Sequence, residues 1–187
     1  MPGQNNKVRF GLKKLMYAVI TESSGSVSYG TVKELPGAVS LTRTPVGERT
    51  PFYADDREYF TADSNAGYEG SIEIAMLPDE FLTDVLGFTK DNNNNLFENK
   101  DATIKNVALM FEFAADAKAV RHCMYNVKFK RPSLTANTKG QAVEVQPDSI
   151  EFTATAAIDT NMISAKTTAD STNYDTWYES VPVPVTA

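Results

Sequence analysis

The chain has 187 residues, of which 42% are hydrophobic and 22% charged, and its formal net charge is −6. This composition is that of a folded globular protein of one domain, and it excludes a disordered or collagen-like chain. The negative charge argues against nucleic-acid binding by phosphate neutralisation, which needs clustered lysine and arginine.

A single cysteine, Cys123, allows no internal disulfide, which favours synthesis in a reducing compartment. The N-terminal residues are polar, and the apolar run at residues 15–20 is far shorter than the ~20 residues that span a bilayer. We therefore expect a protein made in the cytosol without a signal peptide or a membrane anchor.

The first half of the chain predicts strands joined by one long excursion. Residues 1–7 are polar and predict a flexible arm, and residues 8–20 alternate as in a β-strand. A strand over residues 27–32 follows the turn "ESSGS", and residues 39–44 alternate again. The polar and aromatic stretch over residues 43–65 predicts a long hairpin arm, and "GYEGSIEIAM" predicts the strand that follows it.

One helix is predicted, over residues 78–86 and about three turns long. Pro78 suits its first turn, Asp79 and Glu80 suit its positive end, and Gly87 suits its C-terminal stop. Residues 107–113 and 121–131 predict a hairpin, and residues 149–158 predict a further strand. Together these elements predict one domain, residues 1–187, that is mainly β and folds as a β-sandwich with one short flanking α-helix.

Two pairs of adjacent residues carry side chains that catalysis often uses. His122 and Cys123 lie on a predicted strand, where neighbouring side chains face opposite sides, so we expect a core cysteine beside a surface histidine. Asp55 and Asp56 are expected to be separated in the same way and to lie on a solvated face.

The asparagine-rich stretch "DNNNNLFE" resembles a calcium loop. An EF-hand needs glycine at the sixth position and glutamate at the twelfth, and these positions hold Leu96 and Ala102. A surface turn is therefore expected. We predict no catalytic residue, no cofactor and no metal site, and the chain is not expected to be an enzyme.

The polar faces of three predicted strands hold hydroxyls and glutamates but no base. Their residues are Ser40, Thr42 and Thr44, then Glu69, Ser71 and Glu73, then Glu151, Thr153 and Thr155. The strand over residues 121–131 instead carries Lys128 and Lys130 on its polar side. We infer that one sheet presents a smooth acidic face and that another sheet carries the bases.

Several segments, taken in order, resemble the major tail protein, or tail tube protein, of long-tailed bacteriophages that infect Gram-positive bacteria. They are "NNKVRFGLKKLMYAVIT", "ELPGAVSL", "TPFYADD", "NAGYEGSIEIAMLPDEFLTDVLGF", "ALMFEF", "RHCMYNVKFKRPS", "SIEFTATA" and "WYESV". The resemblance covers roughly residues 6–181. It implies a β-sandwich with one helix and a long hairpin arm, six copies of which form a ring whose inner sheets join into a β-barrel.

The resemblance further implies that the rings stack into a tube through which DNA leaves the capsid. A wall of glutamates and hydroxyls repels or merely wets a polyanion, whereas bases would bind it. The residues expected to face this lumen are Ser40, Thr42, Ser71, Glu73, Glu151, Thr153 and Thr155.

The resemblance also implies that two arms contact neighbouring subunits, where aromatic side chains are good interface anchors and charges set the register. The inter-ring arm, residues 43–65, would contact the next ring through Phe52, Tyr53, Asp55, Asp56, Arg57, Tyr59 and Phe60. The C-terminal arm, residues 167–187, would dock on a neighbour through Tyr174, Trp177 and Tyr178.

The partners that the resemblance implies are copies of the same chain, the tape measure protein in the lumen, DNA in transit, and the tail tip or baseplate and tail terminator proteins. The protein would belong to the tail of the virion after assembly in the host cytoplasm, without a cofactor or a membrane partner. An alternative is a carbohydrate-binding receptor or decoration module that uses Tyr174, Trp177 and Tyr178 as a stacking platform. A tube of a contractile tail or of a phage-like bacteriocin particle shares the same subunit logic.

Overall fold

The computed structural model describes residues 6–23, 25–134 and 145–184. The strands in these residues are β1 (Arg9–Ser23), β2 (Ser26–Tyr29), β3 (Lys33–Glu34), β4 (Ala38–Val46), β5 (Arg49–Ala54), β6 (Arg57–Asp63), β7 (Gly67–Ile74), β8 (Thr89–Lys90), β9 (Leu96–Phe97), β10 (Val107–Ala115), β11 (Val120–Phe129), β12 (Asp148–Thr155) and β13 (Ser164–Thr167). The helix α1 spans Asp79–Asp84. The prediction of a mainly β chain with one short helix is confirmed for the described residues.

Nine strands form one antiparallel sheet, whose main order is β2-β1-β10-β11-β12-β7-β4. The short strands β3 and β13 pair with β1 and β11. Two hairpins, β5 with β6 and β8 with β9, form separate two-stranded sheets. The last strand, β4, also contacts β1 near the other end of the order, so the sheet curves back on itself.

The main core lies inside this curve. It collects buried side chains from α1 and from strands throughout the sheet, among them Leu15, Ile72, Leu109, Phe129 and Phe152. Phe81 of α1 is fully buried, and its ring meets those of Tyr17 and Phe129 edge-on with centroids 5.2 Å apart in both pairs. This is a preferred aromatic geometry, so the helix closes one side of the core with good packing.

A second cluster of buried side chains lies on the opposite face of β10. Ala108 and Met110 pack there against Trp177 and Val181 of the C-terminal segment. Because β10 is buried on both faces, it tolerates the continuous apolar sequence "VALMF".

A bulge in β11 changes which side chains face the main core. The register against β10 shifts between Met124 and Val127, and both of these side chains belong to the main core. Cys123 and Tyr125 belong to the second cluster instead. The single alternation predicted through residues 121–131 is therefore wrong, since a bulge adds a residue and reverses the side-chain order.

The helix is shorter than predicted. It covers Asp79–Asp84 rather than residues 78–86, although its acidic first turn and its stop agree with the sequence. Gly87 has φ +77°, and the Phe88 N–H donates to the Leu82 carbonyl oxygen at 3.1 Å across it. This is the geometry that commonly ends a helix at glycine, and it takes effect before a third turn can form.

Only part of the predicted N-terminal arm is described, because residues 1–5 lie outside the described ranges. Asn6 bonds the loop after β10, accepting from the N–H groups of Ala117 and Lys118 at 3.1 and 3.0 Å. The Lys7 N–H donates to Asp116 Oδ1 at 2.9 Å. These two residues are therefore held on the domain, contrary to the expected flexibility. In the described ranges, no helix has the length and apolar character needed to cross a membrane.

Candidate functional site

Strand pairing brings the seven predicted lumen residues onto one face of three neighbouring strands. Ser71 of β7 lies opposite Thr42 of β4 on one side and Glu151 of β12 on the other. Ser40 lies opposite Glu73, and its hydroxyl donates to Glu73 Oε2 at 2.7 Å. Directly paired residues of antiparallel strands share a face. This polar face, as we call it, comprises Ser40, Thr42, Ser71, Glu73, Glu151, Thr153 and Thr155, joined by Thr44 and Glu69.

The reverse of the same strands is apolar. Ile72, Ile74, Ile150 and Phe152 are almost completely buried in the main core. The alternation of β7 and β12 therefore sorts their side chains as the period of two predicts.

The prediction that the bases lie on another sheet is wrong. β11 pairs with β12 in the same sheet, and Lys128 lies directly opposite Thr153. Lys130 follows on the same side, where its Nζ lies 2.7 Å from Glu151 Oε2. This bond lowers the pKa of the Glu151 carboxyl and raises that of Lys130. Lys128 and Lys130 therefore belong to the polar face as well, and its charge is mixed, because the pairing of β11 with β12 joins segments that are distant in sequence.

The hairpin arm, residues 43–65, continues directly from β4 and β7. The Ala66 N–H donates to the Val46 carbonyl at 2.8 Å, and the Ser64 N–H donates to the Glu48 carbonyl at 2.9 Å. These bonds connect the β4/β7 ladder to the β5/β6 ladder. The arm is therefore oriented by the same two strands that carry much of the polar face.

The tip of the arm is a two-residue turn at Asp55 and Asp56. Both residues have positive φ, 51° and 57°. Aspartate tolerates this left-handed conformation better than most residues do, and tight hairpin turns of this kind require it at both positions. The tip is thus Asp55-Asp56, and Arg57 is already the first residue of β6. The expectation of an extended backbone at these two aspartates is wrong.

Four aromatic side chains of the arm are exposed. Phe52, Tyr53, Tyr59 and Phe60 have exposures of 60%, 63%, 66% and 62%. Phe52 pairs directly with Phe60, so these two rings share one face of the hairpin. Large apolar side chains grouped on a surface mark interaction sites.

The other face of the arm carries polar side chains and one aromatic ring, since Tyr53 pairs directly with Glu58. Arg49 Nη2 lies 3.2 Å from Glu58 Oε1, and the Thr61 hydroxyl donates to the same carboxylate. Such exposed contacts add little stability.

The histidine and the cysteine do not form a reactive pair. His122 stacks on Phe111 in the main core, with ring centroids 5.2 Å apart, whereas Cys123 is fully buried in the second cluster. The opposite orientation of the two side chains is confirmed, but the prediction of a surface histidine is wrong. Burial lowers the pKa of His122 to about 4, with nearby Arg43 adding to the effect, and burial raises the pKa of Cys123.

The asparagine-rich stretch forms the expected surface turn. Asp91 Oδ1 accepts from the N–H groups of Asn93 and Asn95 at 2.9 and 2.7 Å. These bonds lower the pKa of Asp91, because they stabilise its charged form. Among the described residues, no three His, Cys, Asp or Glu side chains are placed to hold a metal ion together.

The predicted C-terminal anchors pack on their own chain. Tyr174 and Trp177 are 6% and 5% exposed. The guanidinium of Arg121 lies 3.9 Å from the ring centroid of Tyr174 and 5.0 Å from that of Tyr178. The expectation that these three rings dock on a neighbour is therefore corrected, since Trp177 packs against β10 and the two tyrosine rings pack on Arg121. Residues 185–187 of this arm lie outside the described ranges.

The site that the geometry defines is a pair of surfaces, the polar face and the aromatic arm. No protein-family model matches the chain, and no curated protein matches it.

Proposed function

We propose that the chain is the tail tube subunit of a long-tailed bacteriophage. In this proposal the curved sheet is a β-sandwich, six copies form a ring, and stacked rings form the conduit for the genome. The observation that carries the proposal is that the polar face and the exposed aromatic arm extend from the same two strands, β4 and β7. One ladder thus supplies a surface for a lumen and an arm for the next ring.

The charges of the polar face suit a conduit. The face holds three glutamates and two lysines, and Lys130 is engaged by Glu151. A wall without a surplus of bases releases few counterions from DNA and so gives DNA little affinity. Six copies would repeat this pattern around the lumen.

The edge of the sheet supports ring formation. β4 is the last strand in the sheet order and has nine residues. An edge strand presents backbone N–H and C=O groups that readily pair with another chain. We propose that such pairing joins the inner sheets of neighbouring copies into a closed barrel, in which the edge strand forms the joint between subunits.

The proposal also defines the partners. The tape measure protein fills the lumen before ejection, DNA passes through it transiently, and the tail tip or baseplate and the tail terminator proteins bind the two ends. Assembly takes place in the host cytoplasm, and the tail of the virion is the final location. A contractile tail or a bacteriocin particle would use the subunit in the same way.

The carbohydrate-binding alternative is less well supported. A stacking platform needs exposed aromatic faces, and Tyr174 and Trp177 are buried. The aromatic residues that are exposed lie on the arm instead, where they suit contact with a protein.

Light scattering of the purified chain over a range of concentrations tests the proposal. We expect the particle mass to grow far beyond that of a single ring. Phe52→Ser should suppress this growth and Phe97→Ser should not, since the two side chains are similarly exposed, at 60% and 54%, but only Phe52 lies on the arm. A chain that stays monomeric even with tail tips as seeds, or an equal response of both variants, would contradict the proposal.

A further inference from the structure

A basic cleft of about 800 Å³ opens where the start of β1, the loop after β10 and the end of β13 meet. Its basic lining residues are Lys7, Arg9, Arg43, Lys118 and Lys166. Asp170 is the acidic side chain of the lining. Such a concentration of bases stands out in a chain whose net charge is −6.

The bases of this cleft have no carboxylate bound to them in the part of the chain that the structure describes. None of the five forms a salt bridge with another described residue. Arg43 Nη1 is buried and has no hydrogen-bond partner among the described residues. Because a buried guanidinium N–H without an acceptor is costly, the cleft is short of an acceptor, and an anionic group would supply it.

The positive charge of the cleft also affects the pKa of a neighbouring side chain. His122 lines the cleft, and the nearby Arg43, Lys166 and Arg9 help to lower its pKa, after burial. Its response is what a positive potential from the lining would produce.

The tip of the hairpin arm has the complementary chemistry. Asp55 and Asp56 are exposed, adjacent and free of salt bridges to described residues. They form the turn of the two-stranded β5/β6 hairpin. The two carboxylates of this turn are therefore complementary in charge to the five bases of the cleft.

The tip lies outside the cleft of its own chain, since neither aspartate is among the lining residues. Arg43, in the lining, lies at the base of the same arm, and 12 residues of extended chain separate it from Asp55. At about 3.3 Å per residue, these 12 residues span at most about 40 Å. The carboxylates must come from a second copy, displaced along the arm.

We propose that the basic cleft of one copy receives the Asp55-Asp56 turn of another copy. The contact joins two different surfaces, so it is head-to-tail, and repetition of it propagates along one direction with a spacing of up to about 40 Å. It rests on the proposed function in that it gives the stacking arm a receptor on the next ring.

Cysteine cross-linking tests this contact with full-length chains. Asp56→Cys in one chain and Lys166→Cys in the other are mixed and treated with a mild oxidant, and a covalent dimer is expected. Asp56→Cys with Lys100→Cys is the matched control, since Lys100 is exposed and lies outside the cleft. The natural Cys123 gives no background because it is fully buried. Equal yields in the two mixtures would overturn the proposal.

Charge reversal gives a second readout. Asp55→Lys/Asp56→Lys and Lys118→Glu/Lys166→Glu should each weaken association by about tenfold or more at low salt, and mixing the two variants should restore it. If the cleft variant associates normally but loses affinity for a short single-stranded oligonucleotide, the cleft is a phosphate site and the proposal is wrong. Tubes without the cross-link would refute this contact alone, whereas cross-linked pairs without tubes would refute the tube alone.

Discussion

Replacing His122 with phenylalanine should remove a large part of the acid sensitivity of the fold. His122 is 6% exposed and stacks on Phe111, so a phenylalanine ring keeps most of its packing. Burial, followed by the charges of Arg43, Lys166 and Arg9, lowers its pKa from 6.5 to about 4. The folded chain therefore resists protonation at a position where the unfolded chain accepts it.

The sign and size of the effect follow from this difference. Between pH 6.5 and pH 4 the unfolded chain binds the proton and the folded chain does not, so stability falls as the pH falls through this window. At about 1.4 kcal/mol per pKa unit, the free energy of unfolding loses about 3 kcal/mol by pH 4. Below pH 4 the folded histidine is protonated too, and this contribution stops growing.

Urea unfolding of the dilute chain, followed by the fluorescence of the buried Trp177, measures the effect. Carboxylates such as Asp91 titrate in both proteins, so the difference between His122→Phe and the wild-type protein isolates the histidine. At pH 7 the two stabilities should agree within about 1.5 kcal/mol. By pH 4 the variant should have gained about 3 kcal/mol relative to the wild type. If the free energies of unfolding of the two proteins change by the same amount between pH 7 and pH 4, the lowered pKa of His122 is refuted.

Three further substitutions test the packing. Phe81→Ala should cost about 3–5 kcal/mol in chemical denaturation, because it empties the centre of the main core. Gly70→Ala should abolish or strongly lower the thermal unfolding transition measured by circular dichroism, since its Cβ would collide with the carbonyl oxygen of Thr42. An unchanged melting curve would contradict this. Glu112→Ala should cost about 3–5 kcal/mol in urea unfolding by leaving the guanidinium of Arg121 buried without its carboxylate, and a cost under about 1 kcal/mol would mean that the pair is solvated.

Features set by local pattern could be predicted from the sequence. β7 and β12 alternate over eight residues each, and one face of each is buried, so the five predicted polar positions on these two strands fall together. Gly87 ends α1 because its left-handed backbone suits glycine at a helix end. The hairpin arm was indicated by a long polar stretch between two good strands.

Features set by distant pairings could not be predicted. The two lysines of the polar face join it through the β11/β12 pairing, which local alternation does not encode. The amino-acid composition of this segment does not indicate the bulge between Met124 and Val127. The aromatic residues near the C-terminus resemble an exposed anchor set, and only the packing of Trp177 on β10 shows that they complete the fold. The five bases of the basic cleft lie on four separate segments of the chain, so no single sequence motif predicts the cleft.

Electron microscopy of the concentrated chain in negative stain tests the central claim most directly. If the chain is a tail tube subunit, we expect six-fold rings with a stain-filled centre, stacked into hollow tubes, at concentrations where light scattering detects growth. End-on class averages would give the symmetry, and side views would give a ring spacing of up to about 40 Å. Discrete solid particles at every concentration, which also fail to extend tubes seeded by tail tips, would contradict the account.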